Sequence, residues 1–89
     1  MYSLRREGDG RGDSGGMSMA LWLEGDDVKY ERGARPRVGI AMRVGSHYAR
    51  TYDAQDWWQT TLITEILEES DEVVRFRTGN SVYEWRHYV

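Results

Sequence analysis

The chain has no cysteine, and that one absence removes disulfide staples, thiolate nucleophiles and thiolate zinc sites together. Burial alone must hold it folded. Proline occurs once, at Pro36, and phenylalanine once, at Phe76, so the aromatic part of any core has to come from four Trp and six Tyr. No stretch approaches the ~20 apolar residues that span a bilayer. The first twenty residues mix glycines with acidic residues where a signal peptide needs a continuous apolar segment. These absences predict a soluble, cytoplasmic protein. A chain of 89 residues also has room for one hydrophobic core and not for two.

Catalytic signatures are equally scarce. The two histidines, His47 and His87, lie far apart, and neither has a second ligand-type residue at a metal-site interval. Gly8, Gly10, Gly12, Gly15 and Gly16 precede no strand-to-helix junction of the kind that cradles phosphate, and no Gly-x-Ser-x-Gly elbow is present. Arg11-Gly12-Asp13 spells a tripeptide known from integrin ligands, which in a chain with no signal sequence and no cysteine is a coincidence of composition. The expectation is a protein that is not an enzyme and carries no cofactor or metal.

Charge is distributed unevenly. From 28 to 50 the cations Lys29, Arg32, Arg35, Arg37, Arg43 and Arg50 stand against Glu31 alone, while the segments on either side are net acidic. The molecule should therefore be electrically two-sided. Lys29 is the single lysine among twelve cations, and arginine favours bidentate pairing and stacking on aromatic rings over simple solvation.

Residues 1 to 16 hold half of the glycines and little to bury, so ordering them costs backbone entropy without return. They read as a disordered tail, with residues 17 to 89 as one small β domain, and Met17 or Met19 as an alternative start. The run from Met17 to Leu23 is apolar, Glu24 to Pro36 reads as a polar loop, Val38 to Val44 as a strand, and His47 to Tyr52 as a short strand.

The C-terminal third carries the strongest pattern. Gly79-Asn80 has the chemistry of a type I′ or II′ hairpin turn. That turn sets Phe76 against Tyr83 and Val74 against Trp85 on one face, and Arg75 against Glu84 on the other, so aromatic meets aromatic and cation meets anion at once. A turn near Glu68 to Glu72 extends the sheet backwards, placing Ile66 opposite Val74, Leu62 opposite Thr78 and Glu65 opposite Arg75. The expectation is an antiparallel meander from Trp58 to Tyr88. A helix competes over the same residues, because Leu62, Ile63, Ile66 and Leu67 also suit helical spacing, with Asp56 as N-cap.

Two surfaces are candidate binding sites. Arg43, Tyr48, Arg50, Tyr52, Trp57 and Trp58 interleave basic and aromatic residues, as in sites that stack bases or grip an acidic partner, although the two tryptophans also suit a thin sheet filled on both sides. Glu65, Glu68, Glu69 and Asp71, with Glu72, crowd carboxylates at a hairpin tip, which serves either as a solvated turn or as a nucleic-acid mimic that meets a basic surface.

The segment Trp58-Gln-Thr-Thr and the hairpin Thr78-Gly-Asn-Ser-Val-Tyr83, within residues 57 to 85, resemble small bacterial and phage proteins with a Trp-x-Thr-Thr strand and a Thr-x-Asn-Ser-x-Tyr hairpin. The resemblance implies an all-β, mainly antiparallel, SH3-like half-open barrel without catalytic activity. The expected function is a non-catalytic, protein-binding partner protein, in its most specific form an inhibitor of the anti-CRISPR type encoded by a phage or mobile element. The alternatives are a small barrel that binds nucleic acid through its basic and aromatic face, and a homodimer formed by pairing of sheet edges.

Overall fold

The computed structural model describes residues 1–46 and 57–88. These form nine antiparallel strands in two open sheets, with no helix among them. The first sheet holds β1 (Tyr2–Arg6), β2 (Gly12–Gly15), β7 (Ile63–Glu69), β8 (Val73–Thr78) and β9 (Val82–His87), in the order β2-β1-β9-β8-β7. The second holds β3 (Met17–Glu24), β4 (Asp27–Arg32), β5 (Ala41–Gly45) and β6 (Trp57–Gln59), in the order β4-β3-β5-β6. Both bury one face in a shared core of Leu4, Met42, Val44, Ile63, Phe76 and Trp85. The described strands do not close into a barrel. Backbone bonds from Ile63 to Ile40 and from Gly39 to Ile63 stitch the sheets at one corner.

The β8–β9 hairpin has the register that its sequence predicts. Phe76 faces Tyr83, Val74 faces Trp85 and Arg75 faces Glu84, with the Phe76 and Tyr83 rings stacked at 5.6 Å. The turn differs from the expected type. Neither Gly79 nor Asn80 has a positive φ. The reversal is closed instead by Thr78, whose N–H donates to Ser81 O at 2.8 Å and whose hydroxyl accepts from Ser81 N–H at 3.3 Å. A side-chain hydroxyl has taken the place of a left-handed backbone.

Residues 63–69 form a strand, so the helical reading fails, but their register departs from expectation. Ile63, not Leu62, faces Thr78, Glu65 faces Arg77, and Glu68 faces Arg75. Two β-bulges, between Ile63 and Glu65 and between Ile66 and Glu68, insert the extra residues. Leu62 is consequently out of the core and 55% exposed. The expected meander also begins later, since β6 with Trp58 pairs with β5 in the other sheet.

The largest correction concerns residues 1 to 16, which are two strands and not a disordered tail. Leu4 of β1 is fully buried beneath Trp85, its β9 partner, and Tyr2 stacks on His87 at 4.5 Å. Burial of these side chains offsets the ordering entropy that glycine content suggested would be unrecovered. Gly8 and Gly10 have φ of 102° and 69°, so they make the β1–β2 turn rather than a flexible linker. Gly15 touches the backbone of Gly45, where a methyl group would overlap it, and this contact seats β2 of the first sheet closely against β5 of the second. The predicted loop from 24 to 36 likewise contains β4, which folds onto β3 through Gly25-Asp26.

Candidate functional site

Strand alternation decides what the second sheet shows to solvent. On β3 and β5, Ala20, Met42 and Val44 point to the core. Their neighbours Leu21, Leu23, Ala41 and Arg43 point outward, joined by Val28 and Tyr30 of β4 through the pairs Leu23↔Val28 and Leu21↔Tyr30. Val38 and Leu62 border this face. Leu23 is 71% exposed, Val28 64%, Val38 59% and Leu62 55%, and together with Leu21 they shape a groove of about 760 Å3. Its charged lining residues are Arg37 and Arg43, with no carboxylate between them.

Arg43 lies at the edge of this groove and belongs to the predicted basic and aromatic site. Its guanidinium carbon sits 4.0 Å from the Trp57 ring centroid, and Nε and Nη2 donate to Gln59 Oε1 at 3.0 and 2.7 Å. The stack holds the guanidinium flat against β6. Trp57 and Trp58 point to opposite faces, as adjacent strand residues must. Trp58 turns inward against the core, donates from Nε1 to Tyr83 Oη at 3.4 Å, and is flanked by Arg6 and Arg11, each 5.5 Å from its ring. Tyr48, Arg50 and Tyr52 lie outside the described residues. Arg43 and Trp57 are thus brought together, while Trp58 serves the core.

The predicted acidic site is assembled, but its charges are largely answered. Glu65 pairs with Arg77 at 3.0 Å, Glu68 with Arg75 at 2.5 Å and Glu69 with Arg35 at 3.3 Å. Arg35 also donates to the carbonyls of Ser70 and Asp71 at 2.5 and 2.8 Å, and it covers Trp85 at 5.4 Å. Arg75 holds Glu7 as well, at 2.6 Å, and that bond keeps the Glu7 carboxyl below its ordinary pKa while raising the already high value of Arg75. Asp9, held by the Arg6 guanidinium and the Arg11 N–H, is lowered to about 2. The expected ladder Glu65–Arg75–Glu84 is therefore Glu68–Arg75–Glu7, since the bulges move Glu65 to Arg77 and Glu84 pairs with Arg86 at 2.8 Å.

Sequence reasoning missed Leu21, Leu23, Val28, Val38 and Leu62 as a surface. The signal was present, because a turn at Gly25-Asp26 sets Leu23 against Val28 and Leu21 against Tyr30, a sorting as clear as that of Phe76 with Tyr83. Among the described residues no group of three His, Cys, Asp or Glu lies close enough to hold a metal ion, and no helix is long and apolar enough to cross a membrane. Comparison with protein-family models, with curated proteins and with solved structures gives no match. The site's own geometry is what any reading must rest on.

Proposed function

We propose that the protein is a non-catalytic interaction module that receives a protein partner on the outer face of its four-stranded sheet. The observation that carries this reading is the groove between Leu23, Val28, Val38 and Leu62, four apolar side chains each more than half exposed and contiguous across three chain segments. Small soluble domains scatter single apolar residues over their surfaces, whereas a contiguous apolar concavity marks a contact surface. The rim sets the partner's chemistry. Arg37 and Arg43 favour an apolar segment that carries carboxylates, which would bury its hydrophobic side chains on Leu21 and Leu23 and meet the guanidinium groups at the edge.

Direct nucleic-acid binding has less support, because the face that Arg37 and Arg43 border is lined mainly by the aliphatic side chains of Leu21, Leu23, Val28, Val38 and Leu62, whereas single-strand sites stack successive bases on aromatic rings. An inhibitor of a host nucleic-acid machine, the specific form that the phage resemblance implies, would act through the apolar face rather than through β7, whose Glu65, Glu68 and Glu69 already face arginine.

Peptide display against the intact protein tests the reading. Enriched sequences should place apolar residues beside Asp or Glu, and Leu23→Asp or Arg43→Glu should weaken their binding by on the order of tenfold or more. Enrichment without an acidic and apolar pattern, or binding indifferent to both substitutions, overturns it. Single-stranded DNA that quenches Trp fluorescence at low salt, with binding that falls steeply as salt rises, establishes the nucleic-acid alternative instead.

A further inference from the structure

The two sheets expose four edges among the described strands, and three of them are poor templates for pairing. β6 has three residues, β2 has four, and β7 is broken by two bulges and carries Glu65, Glu68 and Glu69. Short, bulged or charged edges are the usual means by which sheet proteins avoid edge-to-edge association. β4 is the exception. It is regular over six residues, Asp27 to Arg32, exposed at every position, and has no described strand on its far side.

Its backbone polarity can be assigned residue by residue. The Gly33 N–H donates to Ser18 O at 2.7 Å, so in an antiparallel ladder the odd-numbered residues of β4 direct their N–H and C=O groups toward β3. Val28, Tyr30 and Arg32 therefore direct theirs away from the sheet. These are the groups that a further strand would take up.

The side chains then restrict which strand fits. An antiparallel copy of β4 added with both outer faces on one side must pair residues of like parity. If facing numbers sum to 58, Lys29 meets Lys29 and Asp27 meets Glu31, so charges of one sign oppose each other throughout. If they sum to 60, Tyr30 meets Tyr30 on the two-fold axis, Val28 meets Arg32, and Lys29 meets Glu31 twice. Of these two registers, which alone overlap β4 over as many as five of its residues, only the second places opposite charges together, while both set outward N–H and C=O groups in the hydrogen-bonded positions.

We propose that β4 is a self-recognition edge, through which two copies of the chain pair antiparallel about Tyr30 to make one continuous eight-stranded sheet. Lys29 and Glu31 act as the register key. They repel a copy slipped by two residues and pair with each other in the centred one. Glu31 is held only loosely within its own chain, 3.7 Å from Arg37, and is therefore available to a partner's Lys29. The interface is isologous and closes on itself, so it gives a dimer and not a fibre. It joins the two outer apolar faces, with the Tyr30 side chains of the two copies meeting on the axis. This inference does not depend on what occupies the groove.

Sedimentation equilibrium over a concentration range from about 10 μM to about 1 mM reads the association directly. The mass should rise from 10.4 kDa toward twice that value. Lys29→Glu should keep the protein monomeric, and the double exchange Lys29→Glu with Glu31→Lys should restore the dimer, because the pairs are then reversed and not lost. The absence of native cysteine allows a second test: under mild oxidation Tyr30→Cys should crosslink to a dimer, whereas Val28→Cys, displaced from its own copy by four residues along the strand, should not. A monomer at every concentration, a dimer indifferent to Lys29→Glu, or equal crosslinking at 28 and 30 overturns the proposal. None of these outcomes bears on whether peptides bind the groove, which is read separately with Leu23→Asp.

Discussion

Trp85 and Ser18 meet across the core: the indole Nε1–H of Trp85, on the five-stranded sheet, donates to the Ser18 hydroxyl, on the four-stranded sheet, at 2.9 Å. Ser18 in turn donates to Ala34 O at 3.0 Å, which ties the segment after β4 into the same chain of bonds. Both side chains are 1% exposed. One serine therefore satisfies the only polar atom of the largest buried side chain and fixes how the sheets sit on each other.

Ser18→Ala leaves the indole N–H buried without an acceptor, and the cost of that loss is about 1–3 kcal/mol. Urea unfolding followed by Trp fluorescence should show the midpoint fall by a corresponding amount. A change below about 0.5 kcal/mol, the range of an ordinary surface substitution, would show that the bond does not couple the sheets.

Leu4 is fully buried although it lies in a segment whose composition reads as a tail. Leu4→Ala should cost about 2–5 kcal/mol, as for a core leucine, and removal of residues 1 to 16 should expose Trp85 and shift its emission to the red. Stability and fluorescence unchanged by the truncation would return these residues to the status of a tail.

Much of the C-terminal hairpin is legible in sequence and most of the N-terminal half is not, for a physical reason. In β8 and β9 each face is chemically pure, with Val74, Phe76, Tyr83 and Trp85 inside and Arg75 and Glu84 outside, so a single turn fixes every pairing. The register of β7 is obscured because bulges depend on local backbone geometry that alternation does not encode. β1 has only Leu4 and Tyr2 to bury, too few for a periodic signal, and their burial is decided by Trp85 and His87 more than eighty residues away. The candidate site was half legible: Arg43 and Trp57 were recognisable as a cation beside an aromatic, whereas the apolar groove emerges only when β3, β4 and the 37–40 segment are folded together.

Gly15 and Gly45 bring β2 and β5 into backbone contact. Gly15→Ala should force the strands apart at a cost of about 1–3 kcal/mol, the range for overpacking, while Gly79→Ala, which meets nothing, should be nearly neutral. Thermal unfolding of the two variants provides the comparison, and equal midpoints would refute the close approach.

Acid should loosen the β1–β2 hairpin before the rest. Asp9 has its carboxyl lowered from 3.8 to about 2 by Arg6 and the Arg11 N–H. A depressed carboxylate stabilises the folded form above its unfolded pKa, and that contribution is lost as pH falls from about 4 through about 2. Protection of the amides of residues 2 to 15, taken relative to their intrinsic exchange, should fall over this window, and Asp9→Asn should reduce that fall to the part that Glu7 contributes through Arg75. An Asp9 carboxyl resonance that titrates at an ordinary aspartate value would contradict the ion pair.

The claim on which the functional account depends is that the outer face of the β4-β3-β5-β6 sheet is the docking surface. Amide chemical-shift mapping with a display-selected acidic and apolar peptide tests it most directly. Perturbations should cluster on Leu21 to Val28, Arg37 to Arg43, Gln59 and Leu62, with β8 and β9 unmoved. Perturbations centred on β7 and β8, around Glu65 and Arg77, or the same groove shifts produced by single-stranded DNA, would contradict the account.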